Sequence, residues 1–502
     1  VGLVGALLGA LGGCGLSAEG GFYLGNNGSS GGGAAEPVGT NYGGAGGSTG
    51  DDPLDGSLPA QPPADNNELM CAPPALATFF VSADDSNSMG SFGLVRELLR
   101  AGLLPPPARV RAYEFLNYLN LRAVPAPGEG HEPITTVHVH ALPLGPDGKP
   151  RFSALLLGHA PLVAREPLDL TLVVDNSGSM VGEGLARTLE GIRSLAGRLR
   201  TGDTLSVVAY AEEAQVVLAR TTIGDVEAFV EGTLDQEVLP ALVPSGGSNL
   251  SAALELAYGE LVGLGSQLGR TRRVMLFSDG GANVGVTSVD KIAAQAAAGD
   301  ELGVFLTGVG VGPGPGYDDA LMNELTDAGR GAYVYLDTLD EAERLGDRID
   351  ELTGVALRDV RFEIDVPEGV RIESSSAEQL GQVPELVRPQ YVAPGDTLAV
   401  RFVLVQETAE CLSEIYARLT WNDGVDFVAA TSTPRLDTAP TTESSLEAAA
   451  RLAVELAEAL KSGAELALLA KEITELAAAT SAGDPAKGAL DELAVVVEAF
   501  VP

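Results

Sequence analysis

Basic side chains are scarce in this chain: 31 Lys and Arg stand against 69 Asp and Glu in 502 residues, a formal charge of -38. A polyphosphate would meet a strongly like-signed field, and no Lys/Arg run interrupts it, so a nucleic-acid groove is excluded. Long apolar runs are missing as well. The stretch VGLVGALLGAL at residues 1–11 is too short to span a bilayer, and charges recur too often in the Ala/Leu/Glu-rich end of the chain for a transmembrane helix. Cysteine is limited to Cys14, Cys71 and Cys411. What is present is 45% hydrophobic residues, enough to build real cores, and a length that at about 150 residues per domain suggests about three domains.

The apolar start runs into Leu11-Gly12-Gly13-Cys14, which resembles a bacterial lipobox, the motif whose cysteine becomes a lipidated N-terminus after cleavage. Residues 1–14 are therefore expected to be the remnant of a signal peptide, with Cys14 as the lipidation site. Residues 15–70, rich in Gly, Ser and Pro, cannot bury enough surface to fold and read as a tether. A flexible coil of ~50 residues would hold the folded part on the order of 40 Å from its anchor. With Cys14 acylated, Cys71 and Cys411 remain either as one disulfide or as two free thiols. The expected location is the bacterial cell envelope. Gly15 follows Cys14 where some bacteria place an Asp for inner-membrane retention, so the outer membrane or cell surface is preferred.

Beyond the tether the rhythm changes three times. Residues 71–166 have helix-like stretches near Phe92–Leu103 and Ala108–Leu121, then strand-like text (ITTVHVHALPL, RFSALLLGHAPLV). Residues 167–352 alternate apolar runs such as LDLTLVVD, DTLSVVAYA and RRVMLFSD with helical runs, the pattern of a doubly wound, mostly parallel sheet with helices on both faces. Residues 353–437 revert to antiparallel β and suggest a small sandwich completed by strands from 134–165. Residues 438–502 are helical. The fold class is thus α/β, flanked by a β-sandwich-like domain and a C-terminal helical segment.

Asp175-Asn176-Ser177-Gly178-Ser179 ends the first run of the central segment. D-x-S-x-S places a carboxylate and two hydroxyls at the carboxyl edge of a strand, where open α/β sheets bind ligands. Alone, the pentapeptide also fits a solvated Ser-rich turn. Two more loops join it: Ser248 within SGGSNL before a helix, and Asp279 after RRVMLFS. In a doubly wound sheet all three open on one edge. Asp175, Ser177, Ser179, Ser248 and Asp279 are hard oxygen ligands, suited to Mg²⁺ or Mn²⁺ and poor for Zn²⁺.

On these residues the segment resembles the von Willebrand factor type A (VWA) domain, and the five positions resemble its metal-ion-dependent adhesion site. The resemblance implies Ser177 and Ser179 as direct ligands and Ser248 in place of a threonine. Asp175 and Asp279 would act through water, and one position would stay open for an acidic side chain of a protein partner. FVSADDSNSM at 80–89 and LFSDGGANVG at 276–285 are similar to the YfbK-like group of bacterial VWA proteins. Gly281 departs from that group, which has an acidic residue there, and the 312–316 loop is rich in Pro and Gly.

The function expected is a lipid-anchored envelope protein that binds a protein partner through the metal, with no catalysis. Two other readings stand beside it: a metal-dependent hydrolase with Glu183 as the closest candidate base, and a scaffold for assembly without metal-dependent binding. Gly46-Gly47-Ser48-Thr49-Gly50 matches G-x-S-x-G but lies in the tether, without the strand and helix a nucleophile elbow needs. His138 and His140 alternate on a strand and read as a surface pair.

Overall fold

The computed structural model describes residues 75–82, 87–262, 269–301, 303–312, 317–408, 415–422, 427–432 and 443–500. Cys14, Cys71, Cys411, the expected leader and tether, and residues 313–316 lie outside the described residues.

The described chain opens with β1 (Leu76–Ser82), helices α1 (Gly90–Arg100) and α2 (Ala112–Leu119), and the antiparallel pair β2 (Ile134–Leu142) and β3 (Arg151–His159). It then enters a second module: β4 (Leu168–Asp175), α3 (Glu183–Ala196), β5 (Thr204–Tyr210) and β6 (Ala214–Thr222). A helical run follows, with α4 (Val226–Ala228), a π-helical stretch Phe229–Val238 and α5 (Leu239–Ala241). The module continues through α6 (Leu250–Val262), β7 (Thr271–Ser278), α7 (Val289–Glu301), β8 (Phe305–Gly310), α8 (Asp319–Gly329), β9 (Tyr333–Tyr335), α9 (Leu339–Arg344) and α10 (Ile349–Thr353).

Within that module the strand order is β6-β5-β4-β7-β8-β9, parallel throughout except where β6 pairs antiparallel with β5. Strand side chains alternate between two cores. Leu172, Val174, Val207, Met275 and Phe277 meet Ile192 and Leu195 of α3 and Leu352 of α10. Val173, Val208, Val274 and Leu276 meet Leu250 and Leu254 of α6, Ile292 of α7 and Leu325 of α8. Helices on both faces explain why the strands are apolar at every position rather than at every second one.

The chain then returns to antiparallel structure: β10 (Leu357–Pro367), β11 (Val370–Ser375), β12 (Gln379–Gly381), β13 (Gln390–Val392), β14 (Thr397–Gln406), β15 (Tyr416–Asn422) and β16 (Phe427–Ser432). One sheet runs β12-β1-β10-β15-β16 with β13 also on β10, and the other runs β11-β14-β3-β2. Strands from before and after the parallel module therefore share both sheets. The segments read separately as 71–166 and 353–437 build one sandwich, and the parallel module is inserted between β3 and β10. Phe152, Leu156, Phe362, Ile364, Val400 and Phe402 fill its interior.

The chain ends in α11 (Ser445–Ser462), α12 (Ala467–Ala479) and α13 (Lys487–Val497), which pack with α1 and α2 over Leu155, Leu157 and Ala399 of β3 and β14. None of the described helices is long and apolar enough to cross a membrane. His140 is not on the surface: it is 4% exposed, its Nδ1 3.0 Å from Glu447 and its Nε2 3.6 Å from Glu443. Nε2 of His138 is buried as well. On the other side, α1 approaches β9 so closely that a Cβ on Gly90 would fall 2.3 Å from a ring carbon of Tyr333.

Candidate metal centre

In the strand order the neighbours of β4 are β5 on one side and β7 on the other, and the connections leave in opposite directions. That switch point opens a crevice at the carboxyl edge, and three loops surround it.

The first loop follows β4. The carboxylate of Asp175 is fully buried and held by three donors: the Ser177 amide at 2.9 Å on Oδ1, and the Tyr210 hydroxyl at 3.0 Å and the Ser278 hydroxyl at 2.9 Å on Oδ2. Burial pushes its pKa up to about 6, the negative charge of Asp279 adding to the rise while the Ser177 and Ser278 donors oppose it. Ser177 Oγ and Ser179 Oγ are 3.0 Å apart. A 3₁₀ turn at Gly178–Met180 and a left-handed Gly182 (φ 98°) then aim the chain into α3.

The second loop is tied to the first by its backbone: Ser245 N donates to Asn176 O at 2.8 Å and Gly178 N to Gly246 O at 3.1 Å. It is tied to the third through Ser248, whose amide donates to Asn283 Oδ1 at 2.8 Å and whose carbonyl accepts from Asn283 N and Val284 N at 3.0 and 3.1 Å. The Ser248 Oγ itself is buried and has no hydrogen-bond partner. In the third loop Asp279 Oδ1 accepts from the Gly281 amide at 2.9 Å. A Cβ on Gly281 would lie 3.0 Å from Asp279 Oδ1 and 3.3 Å from Ser248 Oγ, so these two oxygens flank the same glycine.

The structure thus places all five residues singled out from the sequence on three adjoining loops at one sheet edge. Among the described residues no three carboxylate, imidazole or thiolate groups converge as a metal cluster. The set consists of two carboxylates and three hydroxyls, all hard oxygens, with one hydroxyl buried and unsatisfied. An unsatisfied buried polar atom is unusual in a native fold and needs a partner. A hard divalent cation fits that donor set. Tyr210 is the supporting residue that sequence reasoning missed; it ends a neighbouring strand and sits in no motif. Glu183, the candidate base, is bound to Arg187 at 2.7 Å on the first turn of α3, with its side chain 85% exposed.

Residues 170–282 match the family described as von Willebrand factor type A domain. The chain is 31% identical over 313 residues to protein YfbK of Escherichia coli K12, covering 60% of this chain and 52% of YfbK. It is 26% identical over 208 residues to inter-alpha-trypsin inhibitor heavy chain H2 of Mus musculus, covering 39% of this chain and 21% of that protein. It therefore spans about half the length of YfbK and about a fifth of the heavy chain. A solved structure, the von Willebrand factor type A protein of Catenulispora acidiphila, aligns with TM-score 0.45 and 16% identity over 76% of this chain and 88% of that one. The central module is a VWA domain, carried by a chain similar to YfbK.

Proposed function

We propose that this VWA-domain protein holds Mg²⁺ or Mn²⁺ at the carboxyl edge of its parallel sheet and binds a protein partner that presents an Asp or Glu carboxylate, without catalysing a reaction. The observation that carries this reading is the buried, unpartnered hydroxyl of Ser248 beside Asp279 Oδ1. Ser177, Ser179 and Ser248 would hold the ion with their hydroxyls, and Asp175 and Asp279 would balance its charge. A hard dication held largely by neutral oxygens keeps much of its charge and draws a carboxylate from outside.

The chain's own residues prepare that site. Three donors fix the orientation of Asp175, and loop-to-loop backbone bonds keep the hydroxyls from drifting apart. A hydrolase would need a positioned base beside the metal. The ion pair of Glu183 with Arg187 weighs against that role. We place the protein in the bacterial envelope, anchored through Cys14 by the tether 15–70, on the strength of the apolar, lipobox-like N-terminal sequence.

Calorimetric titration of the full chain tests the metal. Mg²⁺ or Mn²⁺ binding is expected, and Asp175→Ala should abolish it while the circular dichroism spectrum stays unchanged. Equal uptake by parent and variant would sink the reading. Capture of a partner from envelope extracts should be chelator-sensitive and lost in Ser177→Ala; capture that survives both favours the scaffold reading.

A further inference from the structure

At the amino edge of the parallel sheet, the pole opposite Asp175 and Asp279, the described residues enclose a cavity of about 500 Å³. Both chain crossings between the sandwich and the inserted VWA domain line it. Val163, Ala164, Arg165 and Glu166 lead into β4, while Gly354, Val355 and Arg358 lead out into β10. The cavity therefore lies at the hinge between two modules, a common place for small-molecule sites, and its volume falls in their usual range of roughly 300–1,000 Å³.

The lining reverses the sign of the molecule. Four of its residues are arginines, Arg165, Arg270, Arg272 and Arg358, and one, Glu166, is acidic. In a chain with 31 basic and 69 acidic residues such a balance is not expected by chance placement. These positions are scattered along the sequence, so no basic run announces them. Arg165 is paired with Asp203 at 2.7 Å and Asp350 at 2.8 Å, and Arg270 with Asp169 at 2.8 Å. Those pairs set the two guanidinium groups in place without cancelling the rest. Arg358 is exposed, makes no ion pair among the described residues, and lies 6.0 Å from the centre of the Phe305 ring. The opposite chemistry comes from Val163, Phe305, Val355 and Pro394, which add apolar wall.

We propose that this hinge cavity binds a small organic phosphate, its charged oxygens on the arginines and its apolar body against Phe305 and its neighbours. Guanidinium forks match phosphate oxygens two at a time, and several of them around one cavity favour a dianion over a monoanion. Inorganic phosphate alone would leave the apolar wall and most of the volume unused. A ligand in this position touches both crossings, so it restrains the VWA domain against the sandwich and stabilises the whole chain by mass action.

The test uses the full chain in excess chelator, which silences any metal at the opposite pole and makes the result independent of the proposed function. Phenyl phosphate is the probe, with inorganic phosphate and benzoate as partial mimics. Phenyl phosphate should bind with a Kd tighter than ~1 mM and raise the unfolding midpoint, with each mimic at least ~10-fold weaker. Arg358→Glu, a change at an exposed position, should weaken phenyl phosphate by ~10-fold or more, and Val163→Asp should do the same by placing a carboxylate at the wall. Arg388→Glu, which makes the same charge change away from the cavity, should leave binding unchanged. No binding at ~10 mM, or equal losses in Arg358→Glu and Arg388→Glu, would overturn the proposal. A phenyl phosphate no tighter than inorganic phosphate would overturn the role of the apolar wall.

Discussion

At position 281 the lack of a side chain leaves room that two site oxygens use. Asp279 Oδ1 and Ser248 Oγ both approach where a Cβ would stand, at 3.0 and 3.3 Å, so even alanine must push one of them aside by a few tenths of an ångström. Gly281→Ala is expected to weaken Mg²⁺ binding about tenfold, roughly 1.4 kcal/mol, in calorimetric titration, with little change in the unfolding midpoint. The departure from the YfbK-like pattern at this residue thus bears on the site itself. The five oxygen residues were legible because each sits in a short loop after an apolar run, with its neighbours spelling a recognisable motif. Tyr210 was not legible. Its hydroxyl reaches Asp175 only because β5 pairs in register with β4, and no local pattern records that a tyrosine ending one strand will face the carboxylate ending the next.

Elements buried on both faces were the easiest to read, since β4, β5 and β7 are continuous apolar runs bounded by loop residues. Two strands escaped the sequence reading for different reasons. β6 is a half-exposed edge whose adjacent valines break the alternation, and β1 is recognised only by its long-range partner, with Phe79 beside Ile364. The burial of His140 was hidden for the same non-local reason: α11, far along the chain, covers its strand. That helix begins with a capping box in which Glu447 accepts from the Ser444 amide at 2.9 Å and from His140 at 3.0 Å. Burial alone would raise the Glu447 pKa, but the His140 and Ser444 donors outweigh it and lower the value to about 2 from 4.5. Because the folded value is depressed, the stabilisation is complete above about 4.5 and is lost as pH falls toward 2. Glu447→Gln should therefore cost about 1–3 kcal/mol in urea unfolding at pH 7, and the gap to the parent should shrink by pH 3.

The composition shifts along the chain separated a β-type, a parallel and a helical region, but they could not show that one domain is inserted into another. Insertion is a matter of which strands pair across the whole molecule. Arg96 of α1 joins the parts. It is 4% exposed and reaches Asp337 of the VWA domain at 2.7 Å, Glu341 at 3.0 Å and Glu492 of α13 at 2.9 Å. Arg96→Ala would strand the fully buried Asp337 carboxylate. It should destabilise the chain by about 3–5 kcal/mol and split a single calorimetric transition into two, one for each module. Retention of one transition at the parent midpoint would contradict this. The placement of the two crossings has a mechanical corollary. Both leave the VWA domain at the pole away from the three loops, so a tug on those loops runs lengthwise along β4 and β7. Rupture would require the interstrand bonds to slide and fail together instead of parting one after another, a geometry suited to a coupling kept under tension.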